Sequence, residues 1–232
     1  MTPSPEKMSP RRFRRRALLR HLAASGLLGS AGVLGLIRQA LAANPASMAQ
    51  GLHPFRGQVT INGVPARQGR RIGSGDTVAT AAGAEAIYVI GQDAFLQRAD
   101  SRVSFAGGAV PKLLRVVTGR LLSVFGAGEK TIRVPTAAIG IRGTACYIEA
   151  EPTRTYFCLC YGEAEIVPTA KPEQREAIVT RHHDHPLYIH ADPAMPTAMV
   201  PAEVINHTDA ELTMLESLVG RRPPFDPADV RY

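Results

Sequence analysis

The residues of this chain best suited to chemistry are thiols and imidazoles, and they lie close together in the sequence. In chain order they are Cys146, Cys158, Cys160, His182, His183 and His185, followed by His190 and His207. Thiolate and imidazole are donors that zinc and copper prefer in proteins. The first six are therefore candidate ligands of a zinc or copper ion, provided that the histidine segment packs against the cysteines.

The spacing of these residues matches no standard zinc motif, so other interpretations stay open. The cysteines are structural or disulfide-bonded, metal ligands, or redox-active thiols. If the strands on either side of residues 151–154 form a hairpin, Cys146 comes near Cys158 or Cys160, according to a register that the sequence does not define. A disulfide to either residue suits an oxidising compartment and leaves one thiol over. The histidines have the alternative of a solvated, hydrogen-bonded loop.

Motifs of catalysis are missing from the sequence. It has no G-x-S-x-G, P-loop, dinucleotide fingerprint or C-x-x-C-H haem signature. A cysteine–histidine nucleophile pair requires spatial adjacency and a third, orienting group, whereas Asp184 is adjacent to His183 and His185 only in sequence. We therefore expect a protein that is not an enzyme, with no catalytic residues and no organic cofactor that the sequence identifies.

The elements that position these donors are predicted to be β-strands from residue 55 to residue 167. Apolar residues alternate along short stretches, and turn signals recur about every ten residues, which is typical of all-β folds. The predicted turns are Asn62-Gly63, Gly75-Asp76, Gly91-Gln92-Asp93, Thr118-Gly119, Gly140–Thr144 and Tyr161-Gly162. The pattern predicts a mainly β fold, as a roll or solenoid or as a sandwich of stacked hairpins.

The C-terminal part has a different pattern. Residues 168–207 are rich in Pro, His and Asp, which predicts an extended segment with one or two short strands. Thr208 and Glu211 have the spacing of a capping box, and Gly220 is followed by Pro223 and Pro224. We therefore predict a C-terminal helical segment at residues 208–220, in which the helix itself ends at about residue 219. A tail follows at residues 221–232.

The positive charge of the chain is confined to its first segment. The net charge is +7, and residues 1–42 hold eight basic residues and one acidic residue, so the remainder is neutral. A neutral body of mixed charge lacks the basic surface that phosphate backbones require. We therefore expect no nucleic-acid partner.

Residues 1–42 have the three parts of an export signal. A basic region ends at Arg16, an apolar region follows, and Ala40 and Ala42 form a small-x-small cleavage site. Arg15 and Arg16 fit the twin-arginine consensus, which predicts a periplasmic protein of Gram-negative type. Residues 43–54 are then a linker. The alternative is an uncleaved signal anchor, which would be the membrane contact of the protein.

Three stretches of the β region, GQVTINGVPARQGRRIGSGDTVAT, LLRVVTGRLLSVFG and TIRVPTAAIGIRGTACYIE, resemble the FecR domain family. The resemblance covers residues 55–167. Its signature residues are Gly75, Asp76, Gly140, Ile141, Arg142, Gly143 and Thr144. One departure is that Pro135 precedes Thr136, which reverses the family's order.

The resemblance implies a periplasmic β module with a protein or envelope component as partner. The eponymous family member relays signals to a cytoplasmic sigma factor through an anti-sigma domain that precedes its membrane segment. Here only residues 1–16 precede the apolar run, which argues against that role. We expect a stand-alone exported FecR-like protein with a non-enzymatic binding role linked to signalling. The alternative is a metal-binding or redox protein that uses the cysteines and histidines.

Overall fold

The structure is a computed structural model that describes residues 50–108 and 111–225. The predicted signal peptide with Arg15, Arg16, Ala40 and Ala42 lies outside the described residues, as do most of the predicted linker and residues 226–232 of the tail.

The described residues form fourteen strands, one short 3-10 helix at Pro172–Gln174 and one α-helix. The strands of the first half are β1 (Gly51–Leu52), β2 (Val59–Ile61), β3 (Val64–Pro65), β4 (Thr77–Thr80), β5 (Ala86–Ile90), β6 (Asp93–Gln97) and β7 (Ser101–Ala106). Those of the second half are β8 (Leu113–Val124), β9 (Glu129–Val134), β10 (Ala137–Ala150), β11 (Arg154–Pro168), β12 (Glu176–Thr180), β13 (Leu187–His190) and β14 (Met199–Pro201). The helix α1 is Asp209–Leu218. The predicted mainly β fold with one C-terminal helix is confirmed.

The strands belong to one open mixed sheet. Among the described residues the pairings are antiparallel except that between β8 and β9, which is parallel. The long strands connect its parts: β10 pairs with β9 through Ala137–Arg142 and with β8 through Ala145–Ala150. In the same way β11 pairs with β13 near its start and with β12 near its end. The β10–β11 hairpin is thus the centre of the C-terminal part of the sheet.

Two apolar clusters lie on opposite faces of the β10–β11 hairpin, because successive side chains of a strand point to opposite faces. The sheet cluster includes Ile139, Cys146, Ile148, Phe157 and Leu159. The helix cluster includes Tyr147, Cys158, Cys160, Leu212 and Leu215. The second face is covered by α1, whose Leu212, Leu215 and Leu218 are almost fully buried. Burial of a leucine side chain contributes about 1.5–3 kcal/mol, so these three anchor the helix firmly.

Two of the predicted turns have the expected geometry. Asn62 and Gly63 both have positive φ, 55° and 80°, as a type I′ hairpin turn requires between β2 and β3. Gly91 and Gln92 connect β5 and β6, with Ile90 paired to Asp93. Glycine and asparagine adopt these left-handed conformations at low cost, so the sequence identified these hairpins directly.

The bend predicted at Thr118-Gly119 is wrong, because these residues lie inside the continuous strand β8. The pairing with β7 shifts here: Arg102 is paired with Thr118 and Val103 with Val116, so Val117 of β8 is the extra residue of a bulge. A Cβ on Gly119 would lie 2.2 Å from the Oγ of Ser101. Gly119 is therefore needed because the two strands approach closely at this point. Glycine is also typical of turns, which is why the sequence predicted a bend here.

The turns predicted at Gly140–Thr144 and Tyr161-Gly162 are also wrong, since both stretches lie inside strands β10 and β11. Gly143 and Gly162 have φ of 56° and 100°, and the register between the two strands shifts beside them. A Cβ on Gly162 would lie 2.8 Å from the carbonyl oxygen of Gly143. These glycines form a bulge in a long hairpin.

The C-terminal part contains more sheet than expected. Three strands, β12, β13 and β14, lie in the segment for which one or two were predicted, and they pair back onto β11 or each other. The helix α1 lies within the predicted range, and its capping box is present: Glu211 N–H donates to Thr208 Oγ1, and Thr208 N–H donates to the Glu211 carboxylate. This segment brings the histidines back to the hairpin.

Candidate metal centre

Cys158 and Cys160 lie on one face of the hairpin because residues two apart on a strand share a face, and an irregularity of β11 begins at Cys160. Tyr161 is paired with Ala145 and Leu159 with Cys146, so Cys160 between them has no partner on β10. This extra residue is a β-bulge, which re-aims side chains locally. As a result Cys160 and the adjacent Tyr161 both belong to the helix cluster, together with Cys158.

His183 reaches the two cysteines from the loop between β12 and β13. The pairing of Thr180 with Gly162 places the start of this loop beside the bulge. The backbone N–H of His183 donates to the carbonyl of Cys160 at 3.0 Å, and His183 has a left-handed φ of 53°. The side chain of His183 is thereby turned inward and buried.

His207 reaches the same point from the chain segment that enters α1. It immediately precedes the N-cap residue Thr208, so the start of the helix determines its position. Its ring stacks on Tyr147, with 4.6 Å between the ring centroids, and its Nδ1 lies 2.6 Å from the carbonyl of Ile205. Asp209, the first residue of α1, is buried beside it.

The four donor atoms form a compact set. The sulfurs of Cys158 and Cys160, Nδ1 of His183 and Nε2 of His207 lie within 4.8 Å of one another. His183 Nδ1 is 3.3 Å from Cys158 Sγ and 3.1 Å from His207 Nε2. A tetrahedral zinc ion, with bonds of about 2.0–2.1 Å to nitrogen and about 2.3 Å to sulfur, separates two nitrogens by about 3.3 Å and a nitrogen from a sulfur by about 3.5 Å. The two distances at His183 Nδ1 are within about 0.2 Å of this geometry.

The hydrogen bonds around the set determine where the protons of the two imidazoles lie. His183 Nε2 is 3.1 Å from Asp209 Oδ1, and an ionised carboxylate only accepts, so His183 donates from Nε2. His207 donates from Nδ1, because its partner is a carbonyl oxygen. In their neutral forms both rings therefore direct an unprotonated nitrogen at each other. Two lone pairs 3.1 Å apart repel unless a cation, either a proton or a metal ion, binds between them.

The thiols are strongly polarised by the same neighbours. The pKa of Cys158 is lowered to about 3: the hydrogen bond with Cys160 has the largest effect, burial opposes it, and His183 and His207 add to the lowering. Burial raises the pKa of Cys160 well above its usual value. Burial alone would lower the pKa of His183, yet the Cys158 thiolate and Asp209 raise it overall. Negative charge thus gathers at Cys158, where a cation is stabilised.

The structure separates the six predicted ligands. Cys158, Cys160 and His183 come together, and His182 contacts Asp209 at 3.0 Å beside them. Cys146 belongs to the sheet cluster on the opposite face, and His185 is exposed. These last two are not in the candidate centre.

The disulfide considered for Cys146 is wrong. All three cysteines are free and buried. In the register of the hairpin Cys146 is paired with Leu159, and Tyr147 with Cys158. Paired residues share a face, so Cys146 points away from both other sulfurs, and a disulfide would require the backbone to rotate.

Two residues of the centre were absent from the predicted ligand set, His207 and Asp209. Their sequence signal was the capping box, because a helix start at Thr208 holds its flanking residues in a defined orientation. Nothing in the sequence indicated that this helix start would lie against the cysteines.

The residues on which the sequence resemblance rests have structural roles. Asp76 accepts a hydrogen bond from the Gly73 N–H and another from the Asn62 side chain, which closes the turn before β4. Gly143 lies at the bulge, and Thr144 donates from Oγ1 to the carbonyl of Glu163. Arg142 forms an ion pair with Glu129 on the exposed face. The Thr144 contact joins the two strands of the hairpin that carries the cysteines, and the Arg142 contact joins β10 to β9.

Within the described part of the chain, no helix is both long and apolar enough to cross a bilayer. No family model matches the chain, and no curated protein matches it.

Two crystal structures of a "putative anti-sigma factor" from Parabacteroides distasonis ATCC 8503 are similar in fold. Each has a TM-score of 0.44 and 10% sequence identity, and the match covers 54% of this chain and 58% of that chain. The chain therefore spans little more than half of that protein. Similarity at this level identifies neither a family nor an activity.

Proposed function

We propose that this protein is an exported, non-enzymatic FecR-like module of the cell envelope that holds one metal ion, zinc or copper. Its ligands are Cys158, Cys160, His183 and His207. The observation that carries the proposal is the pair of imidazole nitrogens 3.1 Å apart, His183 Nδ1 and His207 Nε2, each with a carboxylate or carbonyl oxygen as the partner of its other ring nitrogen. When the two rings are neutral, both of these nitrogens have a lone pair to offer to one cation. A carboxylate or carbonyl partner of this kind is typical of metal-binding histidines.

Zinc is the favoured ion. Two thiolates and two imidazoles in tetrahedral arrangement are a common structural zinc set, in which the protein fills all four positions. The four ligand residues are buried, with exposed fractions of at most 8%. A closed site of this kind has no position for a substrate or water, so the proposed role of the ion is structural.

The ion would connect three segments that are distant in sequence. Cys158 and Cys160 belong to β11, His183 to the loop after β12, and His207 to the entry of α1. Asp209 adds a second link between the helix and His183. Because such a site does not exist in the unfolded chain, its binding free energy becomes folding free energy for the C-terminal part.

Metal analysis of the full-length protein tests the proposal. Purified from the periplasmic fraction without chelator, it should contain close to one equivalent of zinc, and removal of the ion should lower the melting temperature. Co²⁺ should replace zinc and give the absorption of a tetrahedral thiolate complex. A protein that is isolated without metal and takes up neither Zn²⁺ nor Cu⁺ would contradict the proposal.

Export and an envelope partner are the second part of the proposal. The twin-arginine features of residues 1–42 support export. A protein partner is supported by β12, which within the described residues pairs only with β11, and by Val179 on that strand, which is 71% exposed. Such an edge offers main-chain groups for strand addition. Cell fractionation with sequencing of the mature amino terminus tests export: a start at residue 43 supports it, and a chain that remains in the cytosol opposes it.

A further inference from the structure

We propose that His182, Asp209 and His183 form an outer capture set through which the metal ion enters and leaves the buried centre. The inference rests on the proposed function, since it names the route to the same site. Within the described residues, donor atoms close enough to share an ion form two sets, and this is the second of them.

The outer set lies between solvent and the buried ligands. His182 Nε2 is 3.0 Å from Asp209 Oδ2, and His183 Nε2 is 3.1 Å from Asp209 Oδ1. The side chain of His182 is 27% exposed, whereas those of His183 and Asp209 are 3% and 5% exposed. His182 is thus the member of the two sets that solvent reaches most easily.

His183 belongs to both sets and connects them. Its Nε2 faces Asp209 in the outer set, and its Nδ1 faces Cys158 and His207 in the inner set. An ion held by the outer set is therefore separated from the inner set by one imidazole ring. Binding of the ion at Nε2 requires the ring proton, which otherwise faces Asp209 on Nε2, to move to Nδ1. Transfer inward returns that proton to Nε2, where Asp209 accepts its hydrogen bond, and releases the thiol proton of Cys160 to solvent.

The chemistry of the donors gives the transfer its direction. The outer set offers imidazole and carboxylate, while the inner set adds two sulfurs. Zinc and copper bind thiolate more strongly than carboxylate, so an ion captured outside gains affinity as it moves inward. The opposite sides of the inner set are occupied: Tyr147 stacks on His207, and the strand β11 lies behind the cysteines.

Phe225 covers part of this route. Its ring lies 4.5 Å from that of His182, between centroids, and 6.0 Å from that of Tyr161. A ring in this place restricts access to His182 without contributing a ligand. Removing it should therefore speed entry and exit, which gives the route a second test of opposite sign.

The experiment compares metal-exchange kinetics of the full-length protein and its variants. Co²⁺ loading of the metal-free protein is followed by the thiolate absorption, and zinc extraction is followed with an excess of chelator. The variant is His182→Asn, because the asparagine amide keeps a donor for Asp209 and removes the imidazole nitrogen. The matched control is His185→Asn, in the same loop but exposed and outside both sets.

We expect His182→Asn to bind one equivalent with an unchanged equilibrium affinity and to slow loading and extraction by the same factor. That factor should be about tenfold, which corresponds to about 1.4 kcal/mol in the barrier. Phe225→Ala should accelerate both rates, and His185→Asn should change neither.

Two results would overturn the inference while the proposed function stands: unchanged rates in His182→Asn, or a loss of stoichiometry, which would make His182 a ligand of the centre itself. If the unmodified protein binds no metal, the proposed function has failed and the route with it.

Discussion

The two faces of the β10–β11 hairpin carry cysteines in opposite environments. On one face Cys146 packs in the sheet cluster among aliphatic and aromatic side chains, and burial raises its pKa far above the usual range. On the other face Cys158 and Cys160 meet two imidazoles and lie under α1. The first cysteine behaves as a small apolar residue, and the other two have the surroundings of metal ligands.

The difference between the faces comes from the register of the hairpin and from the alternation of side chains along its strands. Cys146 is paired with Leu159, so it lies on the face opposite to Cys158. A register shifted by one residue would place Cys146 and Cys158 on the same face. Cys160 shares the face of Cys158 because it lies two residues further along the same strand, and the bulge adds Tyr161 to that face. The chemistry of each thiol is therefore decided by backbone geometry, although all three side chains are identical.

The largest contrast is expected from removing one sulfur at a time. Cys158→Ser and Cys160→Ser should each lose stoichiometric zinc, because a hydroxyl is a poor substitute for a thiolate ligand. Cys146→Ala should retain one equivalent of zinc with at most a modest loss of stability. Metal content and melting temperature measure both. Zinc lost in Cys146→Ala but kept in Cys160→Ser would reverse the assignment of the two faces.

The adjoining bulge of the hairpin, where Gly143 and Thr144 of β10 lie opposite Gly162 of β11, is tested by Gly162→Ala. An added Cβ would meet the Gly143 carbonyl at 2.8 Å and would sit on a residue with φ of 100°. Strain of this kind costs about 1–3 kcal/mol before the clash is added, so the free energy of unfolding should fall by at least that amount.

Gly143→Ala is the matched control at the same bulge. Its φ is 56°, and a Cβ there meets nothing within 4 Å, so a smaller loss is expected. Urea unfolding of the two variants measures the difference. Equal losses would show that the bulge does not depend on the close approach at Gly162.

The hydrogen bond behind His183 is tested by Asp209→Asn. The amide can donate to His183 as well as accept from it, which weakens the preference for the proton on Nε2. Loss of such an outer partner typically lowers metal affinity by about 10–100-fold. Competition with a chelator of known affinity measures the change, and Asp184→Asn in the adjacent exposed loop is the control. An unchanged affinity would mean that Asp209 does not orient the ligand.

The smallest effect is expected at the helix start. Thr208→Ala removes the oxygen that accepts from the Glu211 N–H, and loss of an N-cap typically costs about 1 kcal/mol. Thermal unfolding should show a small decrease in stability. Ser217→Ala, at an exposed position of the same helix, should cause no loss. If Thr208→Ala also weakens zinc binding, the cap helps to position His207.

The sequence alone determined the elements whose signals are local. The Asn62-Gly63 hairpin follows from residues that tolerate positive φ, and α1 follows from a capping box and an apolar stripe. The mainly β class follows from alternation. The same local evidence failed at Gly119, Gly143 and Gly162, because a glycine in a bulge and a glycine in a turn have the same sequence signal.

Only the tertiary structure decided which donors meet. The cysteines and histidines of the sequence indicated the chemistry of the centre and included three of its four ligands. They did not show that Cys146 lies outside the centre or that His207 belongs to it. Strand pairing has a period of two residues, so an unknown register leaves the face of every side chain undetermined. The approach of His207 to Cys158 joins positions far apart in the chain, and it depends on the docking of α1 against the sheet, which no short stretch of sequence encodes.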